Sequence, residues 1–368
     1  MHPDLLTVLA CPSCTYRQAS SHHSLILREE RIQNGRIDSG LLHCPACQAV
    51  YPIRQAIPRF IGAENAEPDQ KAASLPSSSL LQQRIAQNFG DAWQLYAEKR
   101  RNPYTEAQFL DWIQPLDPSD FANRWVLDAG SGLGGFAEFV AGYHPQHIVG
   151  LELSHAIDAA APLLSQFPQL SLVQGDLLHP PFRAQSFDLV YSIGVLHHLD
   201  KPEAGFQAIL PFVKQPDGRF FFWVYGRENN GLVVYGIDPL RRFACHLPVR
   251  GVRCLLALPM ALVLYPLLHT FYHPLLDRWL GMLPYRAYFQ WLRQSGFGYA
   301  WGMITDQLIP PRTHYLSRTT LLGWLEKAGW EAESITGRNN ISWRVLARWP
   351  LGKRDRLESP TVETRVIQ

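Results

Sequence analysis

Four groups of residues in this chain stand at spacings that could do chemistry. Cys11-Pro-Ser-Cys14 and Cys44-Pro-Ala-Cys47 are two knuckles separated by 29 residues. Each offers two thiolates at a spacing that a tetrahedral Zn²⁺ accepts, and four thiolates close its coordination sphere. A closed site of that kind holds a fold and takes no part in chemistry; two disulfides or free thiols are the alternative. The second group is Val-Leu-Asp-Ala-Gly-Ser-Gly-Leu-Gly-Gly-Phe, Val126 to Phe136. Gly130, Gly132 and Gly134 allow a tight turn against which a ligand can lie. The G-x-G-x-x-G pattern through Gly130, Gly132 and Gly135 is a weak signal alone. Asp128 adds to it, because a carboxylate before the first glycine repels a pyrophosphate and suits a cationic amino-acid ligand. The third group is Glu152, 24 residues beyond Asp128, where an acid can accept both hydroxyls of a ribose without choosing the nucleoside. The fourth is the pair His197-His198, in the pKa class for proton transfer, although either could equally pack or cap the next helix.

These groups must be positioned by strands. Trp125-Val126-Leu127 is an apolar run of the buried parallel kind, followed by a helix from Phe136 to Ala141. His147 to Ser154 reads as a second strand ending at Glu152, and Leu170 to Leu177 as a third with its exit. Phe187 to Leu199 is a fourth, opening at His197-His198, and ligands bind at the carboxyl ends of such strands. Gln215 to Gly218 turns into a fifth strand. Thr319 to Ala328 reads as a helix stopped by Gly329, with strands at Trp330 to Ile335 and Ile341 to Trp349.

The order and spacing of these segments over about residues 120 to 225 resemble the class I S-adenosylmethionine (SAM)-dependent methyltransferases, of the type 11-like kind. The resemblance implies an α/β fold: a Rossmann-like seven-stranded sheet with helices on both faces. SAM would then be held by Asp128 at its ammonium, by Gly130, Gly132 and Gly134, and by Glu152 at the ribose. Asp176 would take the adenine amino group, with Leu177 beside it. His197, and after it His198, stands where a base projects near the methyl group in similar enzymes. Phe89 to Trp93 resembles a leader helix whose aromatics lie over the SAM pocket. The run Leu42 to Ile61 looks like the zinc-ribbon activator subunit of tRNA and translation-factor methyltransferases, here fused in cis.

Composition adds limits and one anomaly. A net charge of +2 in 368 residues gives no strong electrostatic case for nucleic acid. No leader segment is read at the N-terminus, so a cytoplasmic chain is expected. Residues 226 to 318 interrupt the sheet, and an insertion of that length is expected to be functional. Within it, Cys254 to Leu276 carries no formally charged residue and is long enough to span a bilayer. Pro259, Pro266 and Pro274 are expected to break it, which favours a helical cap, then a peripheral membrane contact, and least a true span. Cys245 and Cys254 lie in apolar surroundings and are expected to be inert. The expected organisation is a zinc ribbon (1–62), a linker (63–80), a SAM-binding core with N-terminal helices (81–225), a substrate cap (226–318), closing elements (319–349) and a tail (350–368). The ribbon is expected to have its own core, and the cap to be removable without loss of SAM binding.

The function these features imply is methyl transfer to oxygen or nitrogen of a small, hydrophobic metabolite. The Asp306 to Tyr315 segment is expected to line the acceptor pocket, with His314 and Tyr315 as weaker catalytic candidates. The alternatives are a base methyltransferase of rRNA or tRNA and a non-catalytic SAM-binding scaffold. No Asn-Pro-Pro-Tyr or Asp-Pro-Pro-Tyr signature follows the fourth strand, where Ser192-Ile-Gly-Val stands. Oligomeric state is left open.

Overall fold

The computed structural model describes residues 1–17, 23–61, 80–97, 102, 104–276, 283 and 285–350. The expected linker, apart from Leu80, and the tail beyond Pro350 lie outside these residues.

Two sheets organise the chain. The first is an antiparallel four-stranded sheet of β1 (Ile26–Gln33), β2 (Arg36–His43), β3 (Val50–Arg54) and β4 (Ile57–Pro58). Its first hairpin turns at Asn34-Gly35, both with positive φ, as two-residue hairpins of this twist require. The second is the expected seven-stranded sheet: β5 (Trp125–Ala129), β6 (His147–Glu152), β7 (Leu170–Gln174), β8 (Leu189–Ile193), β9 (Arg219–Tyr225), β10 (Glu331–Arg338) and β11 (Ser342–Arg348). Its spatial order is β10-β11-β9-β8-β5-β6-β7, parallel from β9 to β7, with β11 antiparallel to both β9 and β10. The strand order reverses at β5, and the crevice beyond its carboxyl end is where a ligand fits. Apolar residues cover both faces. Val126, Ile148, Tyr191 and Phe221 pack under helices Glu106–Ile113 and Gly135–Gly142. Leu127, Val149, Val190 and Phe222 pack under helices Pro202–Ile209 and Arg318–Ala328. Gly329 ends the latter in the left-handed conformation, as expected.

The expected separate core of the N-terminal unit is corrected by the packing. Met1, Leu5, Leu9 and Phe60 belong to the same buried cluster as Val149, Val173 and Phe182. Backbone bonds join the two sheets: Phe60 N–H donates to Gln174 O (2.8 Å), Ala10 N–H to Pro181 O (2.9 Å) and Arg183 N–H to Val8 O (2.8 Å). Arg59 pairs with Gln174 in a parallel bridge and ties its guanidinium to Asp158. The unit thus covers the β7 edge, which would otherwise present unpaired backbone groups.

The insertion is helical, but its prolines do not break it as expected. One helix runs from Val249 to Phe271. A π-helical turn at Val252–Ala257 widens the backbone just before Pro259, which reduces the clash of its ring with the preceding turn. Pro266 lies inside the helix, and only His273-Pro274 follows its end. Helices Arg286–Gln294 and Phe297–Leu308 pack beside it through Leu268, Leu292 and Ala300.

Candidate active site

The crevice at the strand reversal is a cavity of about 140 Å³. Its floor is the turn after β5, where Gly130 and Gly132 have positive φ. Gly130 is obligatory: a Cβ there would lie 2.3 Å from Cγ2 of Val195. The N–H groups of Gly130 and Ser131 both donate to Leu151 O at 2.9 Å, locking the turn onto β6. Glu152 accepts from Gly132 N–H (2.9 Å) and Ser154 N–H (2.8 Å), one through each oxygen, and each oxygen keeps a second lone pair for a ribose hydroxyl. Asp176 and Leu177 line the opposite wall, with Asp176 accepting from Leu178 N–H (2.9 Å). The roof is helix Leu80–Ala97, from which Phe89 and Trp93 face the glycines. Gly90 lets this helix approach, since a Cβ would meet the His155 ring at 2.6 Å.

Three of the anticipated site residues, two for the cofactor and one catalytic, sit off the cavity wall. Asp128 lies one residue before the end of β5, paired between Gly150 and Tyr191, and is 1% exposed behind the turn. Burial pushes its carboxyl up to about 7, against the pull of the Ser131 and Tyr191 hydroxyls. One of its oxygens has no hydrogen-bond partner among the described residues. Gly134 faces Leu163 and Ala160 instead of the cavity, and caps helix Gly135–Gly142; Gly135 is the glycine that lines the wall. His197 is 0% exposed, its ring 4.2 Å from that of Tyr225, and neither ring nitrogen has a hydrogen-bond partner among the described residues.

His198 is the histidine on the wall. Its Nδ1 meets Thr313 Oγ1 (3.2 Å) and Arg312 O (3.4 Å), so an Nδ1–H tautomer leaves Nε2 as an acceptor. Burial, reinforced by the Arg241 charge, pulls its pKa down to about 3, and burial holds His197 well below the ordinary histidine value; both rings are neutral at pH 7.

A second cavity of about 140 Å³ shares Phe89, Trp93, Tyr104 and His198 with the first and adds Trp223, Tyr225, Tyr299 and Asp306. A third, of about 340 Å³ and mostly apolar, shares Trp112, Trp223, Tyr225 and Met303 with the second. It extends under the insertion between Leu232, Met260, Leu264, Tyr285, Tyr288 and Trp291. Gln307, Leu308 and Tyr315 line it from the Asp306 to Tyr315 segment, while His314 is absent from its walls. Tyr225 stands at the junction of second and third cavities. Its hydroxyl accepts from Gln307 Nε2 (2.8 Å), which leaves its own proton to donate. Arg241, 1% exposed, holds that arrangement: it donates to Gln307 O and Oε1 and to Tyr315 OH, and pairs with Asp238 at 2.9 Å. Gln307, Leu308 and Tyr315 fall in the segment expected to line the acceptor pocket, whereas the sequence does not single out Trp223, Tyr225 or Arg241 for the site.

The four cysteine sulfurs lie within 4.8 Å of one another, with Cys11–Cys47 at 3.5 Å and Cys14–Cys44 at 3.7 Å. Disulfides would bring sulfurs to about 2.05 Å. A tetrahedron with metal–sulfur distances of about 2.3 Å separates its corners by about 3.8 Å, so the set fits Zn²⁺. Tyr51 OH, 3.2 Å from Cys11 Sγ, supplies an outer hydrogen bond.

Residues 127–222 match the family model described as a methyltransferase domain. Over 128 residues, 32% of this chain, 34% are identical to a sterol 24-C-methyltransferase of Debaryomyces hansenii, covering 34% of that protein. Over 133 residues, 34% of this chain, 29% are identical to the phthiotriol/phenolphthiotriol dimycocerosates methyltransferase of Mycobacterium tuberculosis, covering 47% of it. The match thus spans a third to a half of these relatives. Among solved structures, human N-acetylserotonin methyltransferase in complex with SAM aligns at 15% identity with a TM-score of 0.43, covering 74% of this chain and 59% of that one. With the matched segment running from β5 into β9 and the sheet in the order described, the chain is built on the Rossmann-like fold of the class I methyltransferases.

Proposed function

We propose that this chain transfers the methyl group of SAM to an oxygen or nitrogen of a lipophilic small molecule. The observation that carries the reading is that the three cavities share walls in turn: the donor site adjoins a short aromatic junction, and the junction adjoins a larger apolar chamber. The relatives named for a sterol and for dimycocerosates agree with a lipid-like acceptor.

SAM supplies an activated methyl group, and because the transfer is an in-line displacement, positioning does most of the work. Glu152 would hold the ribose, Asp176 the adenine edge, and the Gly130–Gly132 turn would admit the amino-acid portion. Asp128 would act on the ammonium through the turn and not by direct contact. Phe89, Trp93, Tyr104 and Phe136 line the cavity with aromatic rings, a setting that favours a sulfonium cation. At the junction, Tyr225 would donate to the acceptor and His198 Nε2 would receive its hydrogen bond. A neutral ring with so low a pKa orients an acceptor X–H and does not ionise it beforehand. His198 therefore replaces His197 as the residue we assign beside the reacting atom. The aromatic junction also favours a second reading, a carbon acceptor on which positive charge develops next to ring faces.

Cys11, Cys14, Cys44 and Cys47 would bind one structural Zn²⁺, with no open position for chemistry. Calorimetry tests the donor assignment: SAM and S-adenosylhomocysteine should bind and NAD should not. Trp93→Ala should weaken SAM by about 1–2 kcal/mol if the ring meets the sulfonium. NAD binding at comparable affinity would overturn the reading.

A further inference from the structure

Among the described residues, fourteen large hydrophobic side chains are exposed, and ten of them lie between Leu232 and Leu275. Phe243 is 77% exposed, Leu255 73% and Leu275 84%. On the helix from Val249 to Phe271 they fall on one side: Leu255, Leu262, Val263, Leu267 and Phe271 face solvent. Ala257, Ala261 and Leu268 face the protein. Only 22% of the helix's most apolar stretch is buried, so this is no ordinary core helix. Soluble monomers rarely leave a contiguous apolar face of this kind uncovered.

The charges around the face decide what covers it. From Pro239 to Leu276 the sequence has no Asp or Glu, and it has four arginines. Arg241 is buried, whereas Arg242 and Arg250 are exposed and Arg253 is half-buried over the Trp301 ring. Asp238, just before this stretch, is engaged by Arg241 and Arg242, and Asp277, just after it, lies outside the described residues. An apolar face flanked, among the described residues, by more arginines than acids matches the boundary between acyl chains and anionic headgroups. A symmetric dimer through the same face would offer these arginines no acid from the Pro239–Leu276 stretch itself. The helix also packs its other side on helix Phe297–Leu308, which suits lying along an interface and not crossing it.

We infer that the insertion docks this protein on an anionic lipid surface, with the exposed side of helix Val249–Phe271 immersed and Arg242, Arg250 and Arg253 at headgroup level. Leu232, Met260 and Leu264 belong to the same segments and line the large cavity. A lipid-borne acceptor could therefore enter without crossing water, a consequence that rests on the proposed function; the docking itself does not.

Flotation of the full chain with phosphatidylcholine vesicles, with and without phosphatidylglycerol, tests this. The protein should float with the anionic vesicles, less with the neutral ones, and lose binding as salt rises. Leu255→Glu and Leu262→Glu, which line no described cavity, should each lower the vesicle-bound fraction about tenfold, equivalent to ~1.4 kcal/mol. SAM calorimetry on the same variants checks that they fold and reads the donor site independently of the lipid result. Wild-type protein that stays at the bottom with both vesicle types overturns the proposal. So does flotation that neither variant reduces. A dimer in sedimentation that Leu262→Glu dissociates, without any flotation, would assign the face to a second copy instead.

Discussion

Asp128 shows how a residue chosen for one role can be placed for another. Its carboxyl is raised from the ordinary value to about 7 by burial, so between about 4 and 7 the folded protein holds a proton that the unfolded chain has released. The stability this contributes is fully present below the unfolded pKa and is lost as pH rises through about 7. His197 and His198, held neutral by burial, act oppositely, with stability lost as pH falls below about 6.5. Comparing wild type with Asp128→Asn cancels the histidines. In the ligand-free protein, Asp128→Asn should gain on wild type as pH goes from 5 to 8, by up to about 1.4 kcal/mol per pH unit over the titrating range. Urea midpoints at the two pH values read this, and an unchanged difference would mean that Asp128 is ionised in the fold.

At the scale of elements, the N-terminal sheet and the large sheet share one hydrophobic core. Removing a metal from Cys11, Cys14, Cys44 and Cys47 should therefore lower the melting temperature of the whole chain, because Leu5, Leu9 and Phe60 pack against Val173 and Phe182. A calorimetric scan after chelation that shows an unchanged main transition would restore the idea of separate units. The strands, their order and the glycine turn were legible because each is a local pattern: an apolar run, a turn residue, a spacing. The shared core was not, since nothing in Phe60 or Gln174 alone says that their backbones meet. Which of His197 and His198 lines the cavity was not legible for the same reason. Adjacent residues point to different sides, and the side is fixed by Tyr225 and Thr313, distant in sequence. Prolines misled in the insertion because a π-helical turn, invisible in composition, makes room for Pro259.

For the whole molecule, the insertion is tied to the donor site as well as to the acceptor chamber. Asn88 Nδ2 donates to Ile309 O (2.8 Å), and Ala92 packs with Val252 and Leu308, so helix Leu80–Ala97 rests on the insertion. A cap that could be excised without disturbing SAM, the expectation from sequence, does not fit this packing. Arg241→Met should make the coupling measurable. It leaves Asp238 to Arg242 alone and frees Gln307, Tyr315 and, through Gln307, Tyr225, at a loss of about 1.5–3 kcal/mol in stability. Turnover should fall more than that loss explains at temperatures where the variant is still folded. Equal turnover per folded molecule would reduce Arg241 to a structural role. The place of β11 carries a last consequence. Ser342 pairs with Tyr225 and Trp343 with Val224, so the strand bearing the junction residues gains its outer neighbour only from sequence about 120 residues later. On a ribosome, the helices of the insertion would emerge while β9 still has an open edge. For that interval the nascent chain would display its most apolar surface beside an unpaired strand. Chaperones or a nearby bilayer would then have their strongest claim on it before the chamber closes.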